Sequence, residues 1–236
     1  GNANLADPET ALDLLHKEAE YFIHNSILFN LALFDIDIKL LCGHTDFRPI
    51  NDKKKFLSKS PEEKYEFLKQ LQGELQIFYL SLRAKVQDKQ FAALNQLISA
   101  VRSSLYSIKS MQDVASNIDD LRRYSKDIKF KFFTYHKKGT ENLYRQLGAL
   151  MEAQTKAESK EFQTIFYSIK DNYSFALNDF YKEAQGAPTE SLDLTTALNF
   201  NRELFTSNTA MLIAVKDFLL DEKEAEDFNR IMVYKT

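Results

Sequence analysis

Between Leu94 and Leu121 the apolar residues Leu94, Leu97, Val101, Leu105, Ile108, Met111, Ala115 and Ile118 recur at steps of three and four. That spacing draws one stripe along an α-helix, and so narrow a stripe is the seam of a helix bundle. The other side of the same stretch carries Arg102, Tyr106, Lys109, Asp113, Asn117 and Asp120 at the same steps, so this helix has a core side and a polar outer side. The serines beside the seam (Ser103, Ser104, Ser107, Ser110) are small enough to let a neighbouring helix approach closely.

The same period runs through most of the chain. Asp7–Pro8–Glu9 reads as a cap, a first-turn proline and a first-turn acid. The stripe after it, from Leu12 through Ile23, Leu31 and Phe34 to Leu41, predicts a helix of about 34 residues, ~50 Å long. Cys42–Gly43–His44 ends it, and a loop with one short helical turn near Phe56 follows. Ser60–Pro61–Glu62–Glu63 is a capping box that starts the second helix, whose stripe runs from Leu68 to Leu82. The third helix begins near Asp88. A fourth begins near Ser125, with Gly139 as a candidate kink. The fifth spans about Glu158 to Ala184 and ends at Gly186–Ala187–Pro188. The sixth spans about Leu192 to Leu220, and its seam, unusually, includes Asn201 and Asn208. An acidic tail from Asp221 is a candidate last short helix. The expectation is an all-α protein of six long helices with short, antiparallel connections. They divide into three-helix bundles over residues 1–124 and 125–236, the second including the tail.

Composition narrows the chemistry. Only 6 Gly and 4 Pro in 236 residues suit long uninterrupted helices, and a net charge of −3 gives no footing for nucleic acid. Cys42 is the one cysteine, which rules out an intrachain disulfide or a thiolate cluster and suits a reducing compartment. The most apolar window, Ile27 to Leu41, is broken by Asn30, Asp35 and Asp37 and is too short to span a bilayer. The first residues lack the pattern of a secretory signal.

Several residue groups carry possible chemistry, each with a plainer alternative. His16, Glu20 and His24 lie on one helix flank at ligand spacing, or form the wet edge of an amphipathic helix. Asp35, Asp37, Glu62 and Glu66 would suit Mg or Fe if they converged, or are caps and a solvated face. Asn201 and Asn208 either specify helix register, as seam asparagines do, or line a polar pocket together with Arg202 and Glu203. Lys129, Lys131, His136, Lys137 and Lys138 form a basic patch that would face phosphate or a membrane surface, or simply water. Glu-x-x-His, HExxH, Gly-x-Ser-x-Gly and Gly-rich phosphate loops are all missing.

The run Lys109–Ser110–Met111–Gln112–Asp113–Val114–Ala115–Ser116–Asn117–Ile118 resembles the signature helix of the PhoU family of phosphate-uptake regulators, with Asp113, Ala115, Asn117 and Ile118 in register. Asn2 to Leu12 with Lys17–Glu18 is similar to the junction after the membrane part of bacterial Na/Pi cotransporter-like proteins. Leu198 to Glu203 and Asp217 to Leu220 resemble the end of their PhoU-like extension. The resemblance implies a PhoU-like up-and-down bundle that acts as a regulatory or accessory domain and is not an enzyme. It implies a place at the cytoplasmic face of the inner membrane, linked to sodium-dependent phosphate transport. The membrane transporter portion upstream in the same polypeptide is then the expected partner, and a second copy of the chain a further candidate. It also implies an outer-face metal site at Asp113 and Asn117, for Fe, Mn or Zn. Lys109 stands where the family has an acid; an ammonium has no lone pair for a cation and would instead pair with Asp113 one turn away. Two other readings stay open: a metal-binding helical-bundle enzyme or metal store, and a helical interaction scaffold unrelated to phosphate.

Val101→Asp puts an unpaired charge in the seam and is expected to cost several kcal/mol; Leu105→Asp is expected to act the same way. Asp113→Ala, on the outer face, is expected to leave the melting temperature almost unchanged. Thermal melts of the three variants check the facing of this helix.

Overall fold

Where the sequence pattern predicts six helices, the computed structural model has eight among its described residues, with no strand. The described residues are 7–37, 56, 58–123, 128–153, 155–186 and 191–235, with only the backbone described at 191–193 and 233–235. The helices are α1 (Pro8–Leu33), α2 (Pro61–Arg83), α3 (Asp88–Asp113), α4 (Ala115–Arg122), α5 (Ile128–Glu152), α6 (Ser159–Ala184), α7 (Ser191–Leu219) and α8 (Glu222–Lys235).

The helix starts follow the predicted caps. The Asp7 carboxylate accepts from the Glu9 N–H (3.1 Å) and the Thr10 hydroxyl (2.6 Å), and the Ser60 hydroxyl accepts from the Glu63 N–H at 3.2 Å. Phe56 is helical and buried, its ring 5.7 Å from that of Phe67.

Two boundaries differ from expectation. α1 ends at Leu33 instead of continuing towards Leu41. Asp35 adopts φ 54°, the Asp35 N–H bonds to Ala32 O (3.2 Å) and the Ile36 N–H reaches back to Leu31 O (3.0 Å). This is a Schellman stop with aspartate in the left-handed position usually held by glycine; Ile36 supplies the buried apolar contact beyond it. Ile38, Leu41 and Cys42 lie outside the described residues. The third predicted helix is also interrupted. Val114, at φ −109° and ψ 8°, separates α3 from α4, and the bend keeps Ile118 and Leu121 buried where α4 meets α5 and α7. The tail beyond Asp221 is the helix α8, whose Glu224 N–H is capped by the Asp221 carboxylate at 2.9 Å. α5 is continuous through Gly139.

Helices α1, α2 and α3 each pack against the other two, as do α5, α6 and α7. The most extensive contact joins α3 to α7, so buried apolar residues from both halves of the chain form one continuous core. Three polar contacts fix the antiparallel register of that pair. Gln96 donates to Leu220 O (2.8 Å), the Ser99 hydroxyl donates to the Asp217 carboxylate (2.7 Å), and Ser107 meets Ser207. The last contact is reciprocal: the Ser107 hydroxyl lies 2.8 Å from Ser207 O, and the Ser207 hydroxyl lies 2.9 Å from Ser107 O. A serine on each helix lets the backbones come this close while occupying carbonyl lone pairs that are out of reach of water.

Asn30 on α1 extends this node, its amide donating to the Ser107 hydroxyl (3.0 Å) and the Tyr144 hydroxyl on α5 (2.6 Å). Burial raises the Tyr144 phenol above its usual pKa, so it stays protonated. Near the other end of the α3–α7 contact, Lys216 and Asp217 form a buried ion pair at 2.7 Å, and Lys216 also donates to Asn229 of α8 at 2.9 Å.

Ser107→Ala is expected to cost about 1–2 kcal/mol through the lost hydrogen bonds. Ser107→Leu is expected to cost about 3–5 kcal/mol, because it also forces the two helices apart. Denaturant unfolding of both variants, and of the matching Ser207 pair, measures this directly.

Candidate functional site

α5, α6 and α7 do not close completely on one another. Their facing sides carry polar residues midway along, and between them lies a cavity of ≈ 400 Å³. α5 contributes His136 and Thr140, one turn apart; α6 contributes Asn172; α7 contributes Asn201 and Asn208, two turns apart. Tyr135, Tyr173 and Phe205 give it aromatic walls, with the Tyr173 and Phe205 rings 4.7 Å apart. Gly139 lacks a side chain on the α5 wall, and the Asn172 amide lies 3.5 Å from where a Cβ would stand.

His136 is the most constrained group. Its Nε2 lies 2.6 Å from Asn201 Oδ1, and its ring is enclosed by Phe132 and Phe200 at 4.6 and 5.5 Å. Burial pushes its pKa from the usual 6.5 down to about 4, against the opposing effect of the Asn201 hydrogen bond. The imidazole is therefore neutral near pH 7 and donates Nε2–H to the amide oxygen. A group so weakly basic is a poor general base at that pH.

Three buried polar atoms of the lining have no protein partner: Thr140 Oγ1, Asn201 Nδ2 and Asn208 Oδ1. Thr140 and Asn201 are each only 1% exposed. An unsatisfied buried polar atom costs about 1–3 kcal/mol; all three lie beneath the cavity surface, out of contact with water. Among the described residues the lining holds no carboxylate, lysine or thiol; its ionised side chain is Arg145, which is exposed and pairs with Glu141 at 2.6 Å. The arrangement offers hydrogen bonds and ring faces to a bound molecule.

The residues singled out from sequence fall differently. Asn201 and Asn208 line this cavity, but Arg202 and Glu203 are not part of its wall; Arg202 is exposed and donates to Asn199 at 2.8 Å. His136 belongs to the cavity and not to the basic patch, whose Lys131 is paired with Glu183 and Asp179. Asp113, the last residue of α3, is exposed, and Asn117 is half-buried on α4 beyond the Val114 bend; Lys109 is exposed. Among the described residues no three His, Cys, Asp or Glu side chains converge as a metal set. The His16 ring stacks on Phe218 of α7 at 4.5 Å. Asp35 pairs with Arg122 of α4, while Asp37, Glu62 and Glu66 are exposed. Thr140 and Asn172 carry no sequence signal that separates them from ordinary helix-surface residues; only their place opposite Asn201 and Asn208 gives them meaning.

No protein-family model, curated protein or solved structure matches the chain.

Because the folded state holds His136 neutral to about pH 4, the unfolded chain takes up the proton first as pH falls below 6.5. Its contribution is fully present above pH 6.5 and is lost progressively down to pH 4, by up to about 3 kcal/mol. His136→Gln is expected to flatten the fall in unfolding free energy over this window, as measured by urea titrations at pH 7, 5.5 and 4.5.

Proposed function

We propose that the chain is a regulatory helical domain that acts by docking, with a PhoU-like arrangement of two three-helix units, and serves a sodium-dependent phosphate transport system at the cytoplasmic face of a membrane. In this reading α1, α2 and α3 with α4 form one unit, and α5, α6 and α7 with α8 form the other. The observation that carries it is the reciprocal contact of Ser107 and Ser207. Each lies on the third long helix of its half, and each of those helices is followed by a shorter one. Two similar units fused side by side would present such a contact.

The link to phosphate transport comes from the sequence resemblance at Lys109–Ile118 and at the two ends of the chain. No described helix is long and apolar enough to cross a membrane, so in this reading the transporter is met by surface docking. Exposed Ile77 and Leu80 on α2 and Tyr106 on α3 are apolar surface available for that contact.

The test is sodium-driven uptake of labelled phosphate into membrane vesicles that contain the full polypeptide or assembly to which this chain belongs. Removing the chain is expected to change the uptake rate several-fold, and adding it back to restore the original rate. Uptake indifferent to the chain, or the lack of any membrane transporter bound to it, would contradict the proposal.

A further inference from the structure

We infer that two copies of this chain associate through α2, whose outer faces pair in parallel across a two-fold axis. The inference uses the apolar surface named for docking but needs no transporter: a second copy and a transporter would compete for Ile77 and Leu80.

α2 carries two stripes. The inner one, with Leu68, Leu75 and Leu82, is buried in the core. On the opposite side Gln70, Gly73, Ile77, Leu80 and Ala84 recur at steps of three, four, three and four. A helix at the surface of a bundle needs one apolar face, yet here the outer face repeats the spacing of a coiled-coil seam. Ile77 is 71% exposed and Leu80 53%. A Cβ at Gly73 would meet nothing within 4 Å. Glycine is less favourable than alanine in mid-helix, and no neighbour inside this chain requires it there. It leaves room for a second backbone to come close from outside.

The residue types select both the number of copies and their orientation. With Gln70, Ile77 and Ala84 at the a positions of a heptad, Gly73 and Leu80 fall at d. Isoleucine at a with leucine at d favours two parallel strands, and a polar residue at one a position, here Gln70, fixes the register. A parallel pair then sets Ile77 against Ile77 and Leu80 against Leu80.

The flanking charges agree. Lys69 and Glu74 stand on opposite sides of the seam, at g and e. Both are exposed, and neither side chain has an ion pair or hydrogen bond among the described residues. In the parallel pair Lys69 faces the second copy's Glu74, and the two-fold axis makes that contact twice. The reverse orientation sets Lys69 towards Arg83 and Glu74 towards the second Glu74, like against like. α2 is therefore complementary to itself in one orientation. Glu66, one turn before Gln70, would meet its own copy and ends the seam. From Gln70 to Ala84 the seam spans ~20 Å, which is short, so the association is weak and follows concentration.

The test is sedimentation velocity of the full chain from about 1 to 300 µM. A monomer–dimer equilibrium is expected, and Ile77→Asp and Leu80→Asp are each expected to abolish it while circular dichroism shows the fold retained. Lys69→Glu is expected to weaken the dimer about tenfold, and adding Glu74→Lys to restore it. Sedimentation as a monomer at every concentration would overturn the inference and leave the transport reading standing. A dimer indifferent to both aspartate variants, or one tightened by Lys69→Glu, would overturn it too.

Discussion

The contact of Ser107 with Ser207 is the constraint on which the rest of this structure depends. Two helices from opposite halves of the chain approach until each backbone carbonyl is served by the other's hydroxyl. Only a small polar side chain satisfies both demands, closeness and hydrogen bonding. The register set there carries along α3 and α7 to Ser99 with Asp217 and to Gln96 with Leu220. It also draws in α1 and α5 through Asn30 and Tyr144. A buried amide with two partners is directional in a way that apolar packing is not, so this node selects one arrangement from the many that the same apolar stripes would allow.

α7 links this node to the cavity. The helix that presents Ser207 to α3 presents Asn201 and Asn208 to α5 and α6. A change in packing around those asparagines bears on the element that joins the two halves. Lys216 and Asp217, buried near the C-terminal end of α7, extend the same element to α8.

Much of the fold was legible in the sequence because apolar spacing reports burial directly. Leu94, Leu97, Val101, Ile108, Met111 and Ile118 are buried as their stripe requires. The small serines were readable as a place of close approach, but the partner was not, since nothing in a hydroxyl specifies which helix it will meet. The end of α1 was hidden because its stop uses Asp35, where glycine would have announced it. Two elements of the cavity were visible as asparagines out of place in a seam. His136 was masked by the lysines around it, which made a buried ring look like part of a charged surface. Thr140 and Asn172 are residues that helices commonly expose, and only tertiary packing converts them into lining.

Native-state hydrogen exchange tests the central claim most directly, that α3 and α7 form the shared keel of one cooperative unit. The account predicts that amides in the middle of both helices exchange only through global opening, with the same free energy and the same steep denaturant dependence. Earlier exchange in either helix than in α1 or α6, or two halves that open at separate free energies with α3 and α7 parting first, would contradict it.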